Sequence, residues 1–93
     1  MDTLTKTKYS LIEGTFNAED AKDILLGLVE DKIMFHQHRI FSHEERFGKP
    51  CEDSVTRISQ LQKTRKQILE LTNHCQSENK TLRIHSDILI EFQ

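Results

Sequence analysis

Tryptophan is absent from this sequence, proline occurs once, cysteine twice and glycine three times in 93 residues. Each scarcity excludes something. With so few Pro and Gly the chain has few places to turn, so its elements should be long. Aromatic residues make up 6% of the sequence, which leaves no evident stacking platform for nucleic-acid bases. The formal net charge of -2 supplies no long-range attraction to nucleic acid or to an anionic membrane. No run approaches the ~18 apolar residues of a membrane span. The opening MDTLTKTKYS has no apolar core of a secretory signal. Cys51 and Cys75 form no CxxC pair. On one continuous helix they would lie roughly 36 Å apart at 1.5 Å per residue, far beyond the ~7 Å that a disulfide spans. Reduced thiols and a cytoplasmic location are the expectation.

What is present is charge. The chain is 30% charged and 35% hydrophobic, a balance suited to long solvated helices around a modest core. A length of 93 residues predicts a single domain. Residues 1–7 are polar and expected to be flexible. Residues 8–16, KYSLIEGTF, read as a strand. Simple alternation puts Ser10, Ile12, Gly14 and Phe16 on one face and Tyr9, Leu11 and Glu13 on the other, with apolar groups on both. Gly14 suggests a bulge or a close backbone approach.

Asn17, followed by Glu19 and Asp20, has the chemistry of a helix start: a capping side chain, then acid beside the positive end of the dipole. A helix is predicted over 18–47, with Leu26, Val29, Ile33, His36, Ile40, His43 and Phe47 as its seam and Ala21, Ile24, Leu25 and Leu28 widening it near the start. Spacing that alternates three and four is the seam of an antiparallel helical pair. Gly48-Lys49-Pro50 breaks it, with Gly suited to the left-handed position after a helix and Pro to the start of the next. A second helix is predicted over 51–78, with a seam of Val55, Ile58, Leu61, Arg65, Ile68, Thr72 and Cys75. Asn79 should end it, because Asn tolerates positive φ. Residues 81–92 carry the strongest strand signal. Leu82, Ile84, Ser86, Ile88, Ile90 and Phe92 alternate with Arg83, His85, Asp87, Leu89 and Glu91.

The expected fold is therefore α+β, in the order β-α-α-β, with a long antiparallel helical hairpin and a terminal two-stranded antiparallel sheet. The apolar face is widest at Ile24–Val29 and Ile68–Leu71, which should meet at the base and cover the sheet. A two-helix arm encloses no core and a two-stranded sheet is marginal alone. Phe35, Phe41 and Phe47 cannot all fit one narrow seam, and strand edges stay open. Self-association as a homodimer is the expected remedy.

Residue chemistry narrows the function less. His36 and His43 share a helix face but sit roughly 10 Å apart along the axis. A metal held by them would need a site shared across a dimer axis, while His74 with Glu70 or Glu78 on α-helical spacing could hold a surface zinc. His85-Ser86-Asp87 cannot act as a catalytic triad, since neighbours on a strand face opposite ways. Arg57, Lys63, Arg65 and Lys66, with Arg39, Arg46 and Lys49 near the turn, are candidates for a phosphate-binding stripe, set against a net acidic chain. Cys51 follows the turn at a helix start, where a thiol pKa falls, although Glu52 and Asp53 oppose that. No sequence feature specifies a cofactor or an enzymatic reaction. The leading expectation is a small non-enzymatic module that self-associates and offers its hairpin or a strand edge to a protein partner, through Phe35, Phe41 and Phe47 and the basic Arg57, Lys63 and Lys66. A histidine-based metal-binding or metal-sensing dimer is the alternative. Weak nucleic-acid binding along a basic helix face comes third.

Overall fold

The computed structural model describes residues 6–92 and places four elements in the expected order: β1 (Lys6–Phe16), α1 (Ala18–Phe47), α2 (Glu52–Ser77) and β2 (Leu82–Glu91). Of the segment 1–7 expected to be flexible, residues 1–5 lie outside the described residues, as does Gln93. Lys6 and Thr7 belong to β1, where they pair with Glu91 and Ile90.

The helix ends follow from their capping chemistry. The Asn17 side chain accepts a hydrogen bond from the Asp20 N–H at 2.7 Å, satisfying one of the free donors at the start of α1. Gly48 closes the helix in the left-handed conformation, φ 74°, its N–H donating to the Glu44 carbonyl at 2.8 Å. α2 ends in a Schellman motif. Asn79 takes φ 55°, its N–H donates to Gln76 O, and the Lys80 N–H donates to Cys75 O at 2.8 Å. Asn is thus the one non-glycine residue with positive φ among those described.

α1 and α2 pack antiparallel along a polar-rich seam. Ala18, Ala21, Val29, Leu61 and Cys75 are its buried apolar residues, with Ser54 and Thr72 buried beside them. Thr72 survives there because its hydroxyl donates to the Ile68 carbonyl one turn back, at 2.8 Å. Val55 is not a seam residue. It is 45% exposed, whereas Ser54 is 2% exposed and hydrogen-bonds His36 Nδ1 at 3.0 Å. The regular spacing explains the correction. Counting back from Leu61 by three and then four reaches Ile58 and Ser54, and three more reaches the half-buried Cys51.

β1 and β2 form a two-stranded antiparallel ribbon. A bulge lies at Leu11: Ser10 pairs with Asp87 and Ile12 with Ser86, leaving Leu11 unpaired. The extra residue shifts the alternation of β1 by one. Paired residues share a face, so Tyr9, opposite Ile88, joins Ile12, Gly14 and Phe16, while Ser10 joins Glu13 and Thr15. Simple alternation had placed Tyr9 and Ser10 the other way round. With the bulge, β1 has one apolar face that matches that of β2. Gly14 is not the bulge; it leaves room for the Phe16 ring, which a Cβ there would meet at 3.4 Å.

The ribbon does not lie under the helices. It touches α1 through few residues, and the molecule measures 50 × 41 × 14 Å. Two packed helices are only about 15 Å wide across their backbones, so the 41 Å dimension means that the ribbon projects away from the hairpin. The expected covering of the sheet by the helix base is therefore confined to the inner end of the ribbon, where Ile12, Phe16, Leu82 and Ile84 are half-buried. Leu28 and Leu71, from the segments expected to provide it, are exposed.

Candidate functional site

The histidines read as metal candidates are each engaged locally. His36 bonds Ser54 across the seam. His43 Nδ1–H donates to the Lys49 carbonyl at 2.7 Å, tying the last turn of α1 to the connecting turn. His74 Nε2 meets Glu78 at 3.0 Å on the surface of α2. The three do not converge, and the described residues contain no group of three or more His, Cys, Asp or Glu that could hold a metal ion. His36 has its pKa lowered, by loss of hydration and by the neighbouring Lys32, Arg39 and Arg57 charges.

The basic residues of α2 do not form one stripe. Arg65 crosses the seam to Glu30, 3.2 Å away, and Arg57 donates to Gln60 one turn on. At 100° per residue, Arg57 and Lys63 point about 120° apart around the helix. Lys63 and Lys66 share an outer face, without Arg57. The cations that do gather are on α1. Arg39 and Arg46, with His38 and His43, line an open groove of about 490 Å³ at the hairpin tip, together with Phe35, Ser42, Phe47 and Cys51. No carboxylate lines it. Lys32 and Arg39 stand over the Phe35 ring at 4.9 and 5.8 Å, a cation–π arrangement. Of the three phenylalanines singled out by sequence, Phe35 and Phe47 thus share the groove. Phe41 lines a separate shallow one with Gln37, His38 and Ser42.

Cys51, at the N-cap of α2, has its thiol pKa lowered, chiefly by hydrogen bonds from the Ser54 backbone and hydroxyl and more weakly by Arg39. Glu52 and Asp53 do not reverse that direction. The groove can accommodate an anionic or aromatic group. Its components were visible in the sequence singly, but the convergence of Arg39 and Arg46 with Phe47 and Cys51 depends on the bend at Gly48.

The second notable surface is the ribbon. One face holds an ionic network: His85 Nδ1 lies 3.2 Å from Glu13, His85 Nε2 lies 3.1 Å from Asp87, and Lys8 Nζ lies 3.3 Å from Asp87. Both imidazole nitrogens thus face carboxylates, and the His85 pKa is raised, Asp87 contributing most and Glu13 next. The other face is apolar and carries no charge at any paired position. Its inner part, Ile12, Phe16, Leu82 and Ile84, is half-buried, and its outer part, Tyr9, Ile88 and Ile90, is exposed. No helix among the described residues is long and apolar enough to cross a membrane. Comparison with protein-family models, with curated proteins and with solved structures found no match, so these surfaces alone supply the argument about function.

Proposed function

We propose that this protein is a non-enzymatic interaction module that self-associates as a homodimer and presents its helical hairpin or a strand edge to a protein partner. The observation that carries this reading is the amount of surface left open. The chain exposes 7477 Å², whereas a compact monomer of its mass exposes about 5,600 Å². Its radius of gyration is 16.9 Å, against about 12 Å for a compact domain of this length. Large apolar side chains on every element share in the exposure, among them Tyr9, Phe35, Phe41, Leu71 and Ile88. Scattered exposed apolar residues are ordinary, but here they outnumber the buried ones.

Self-association closes such surface at no cost in new sequence, because a twofold axis presents each patch to its own copy. The hairpin tip, with its cationic groove and Phe35 and Phe47, then remains free for a second protein. The test is absolute mass by size-exclusion chromatography with light scattering over a tenfold range of concentration. Twice the chain mass is expected throughout. The mass of a single chain at every concentration would overturn the reading.

A further inference from the structure

We infer that the homodimer forms through the bulge-phased apolar face of the ribbon, with a second copy of this chain as the partner covering Tyr9, Ile88 and Ile90. This inference rests on the self-association proposed above and names its surface.

The ribbon has two unlike faces. One carries Lys8, Glu13, Arg83, His85 and Asp87 in mutual ion pairs and is stable against water. The opposite face has no charge at any paired position, yet Tyr9 is 57%, Ile88 40% and Ile90 51% exposed. None of the described residues covers them fully, because the ribbon projects away from the helices and touches α1 through few residues. A two-stranded ribbon is marginal on its own in water and needs another layer against its apolar side. Whatever supplies that layer must be present whenever the chain folds. A second copy meets that condition without a further gene product.

Charge agrees with this choice. A twofold axis sets like against like, which would bring equal charges together on the ionic face. On the apolar face it brings Ile, Tyr and Phe together, as in the inner faces of a two-sheet sandwich. The bulge at Leu11 is what makes this possible, since without it Tyr9 would lie on the ionic side.

The chain has no tryptophan, so one introduced indole reports a single place. Two full-length variants are compared, Tyr9→Trp on the apolar face and Leu89→Trp on the ionic face of the neighbouring strand. Both positions are exposed in the protomer. Expected is a dimer in which the Tyr9→Trp indole emits at short wavelength and shifts to the red on dilution, while the Leu89→Trp indole stays water-exposed throughout. Ile88→Glu should raise the dimer dissociation constant by about 100-fold or more, and Phe41→Glu on α1 should leave it unchanged. If Ile88→Glu proves unfolded, the two indole reporters decide the matter. A dimer whose Tyr9→Trp indole stays water-exposed would overturn this surface and leave self-association standing. A single-chain mass at every concentration would overturn both.

Discussion

Exchanging the roles of two adjacent residues tests the packing of the hairpin. Ser54→Val and Val55→Ser each alter one side chain at the start of α2, and serine and valine differ little in helix propensity. The structure separates them by burial: Ser54 is 2% exposed and Val55 45%. At position 54, valine deletes the hydroxyl that bonds His36 Nδ1 at 3.0 Å. Losing that bond costs about 1 kcal/mol. It also forces a larger side chain into a closed site, at about 1–3 kcal/mol. The combined loss is about 2–4 kcal/mol. At position 55, serine removes methyls that already touch water over much of their surface, at a cost of at most about 1 kcal/mol. Urea unfolding followed by far-ultraviolet circular dichroism, at one fixed protein concentration so that association does not shift the midpoint, gives both values. If Val55→Ser is the more damaging change, then α2 is rotated by one residue from the packing described, and the seam assignments of Ser54, Ile58 and Leu61 fail together.

The two perturbed imidazoles should titrate in opposite directions. His85 lies between Asp87 and Glu13, so its folded pKa is above the unfolded value; that contribution to stability is complete below about pH 6.5 and is lost as the pH rises through the folded value. His36 is shifted down, so its folded state favours the neutral ring, and stability is lost as the pH falls below about 6.5. Nuclear magnetic resonance titration should place the His85 midpoint above that of His36, and Asp87→Asn should lower it; equal midpoints would contradict the ionic network. Gly48→Ala, which puts a Cβ on a residue at φ 74°, should destabilise the hairpin by about 1–2 kcal/mol in thermal melts, and an unchanged melting temperature would mean that the turn does not hold that conformation.

Most of the architecture was legible because local signals agreed with one another. Asn17, Gly48 and Asn79 mark three helix ends by chemistry that acts over a few residues, and each caps as its type predicts. The long alternation from Leu82 to Glu91 needed no tertiary help. Two features depart from the sequence reading for opposite reasons. Val55 follows from tracking an apolar residue and not the geometric period, whereas the faces of β1 follow from carrying a strict period through a bulge. In α2 the period of three and four selects Ser54, a polar residue that is satisfied only by His36 from the other helix. In β1 the period breaks at Leu11, and only pairing with β2 reveals the break. Apolar groups on both apparent faces of β1 were the visible trace of that bulge. The relation of ribbon to hairpin was not legible at all, since it depends on the direction of the chain at Phe16-Asn17 and Lys80-Thr81.

The projection of the ribbon away from the hairpin bears directly on how a dimer could serve a partner. Had the helices covered the ribbon, the apolar face would be spent within the protomer and the long seam would be the surface left for association. Because the ribbon is set apart, the two tasks separate along the molecule. The ribbon's apolar face can join two copies at one end, while α1, about 45 Å long at 30 residues, carries the groove lined by Arg39, Arg46, Phe35 and Phe47 to the other. The groove has no carboxylate in its lining, and the turn beside it is tied by His43 to Lys49. A dimer joined through its ribbons would display two such tips. A protein partner spanning both, as proposed above, would gain by effective concentration what a single open groove lacks in affinity.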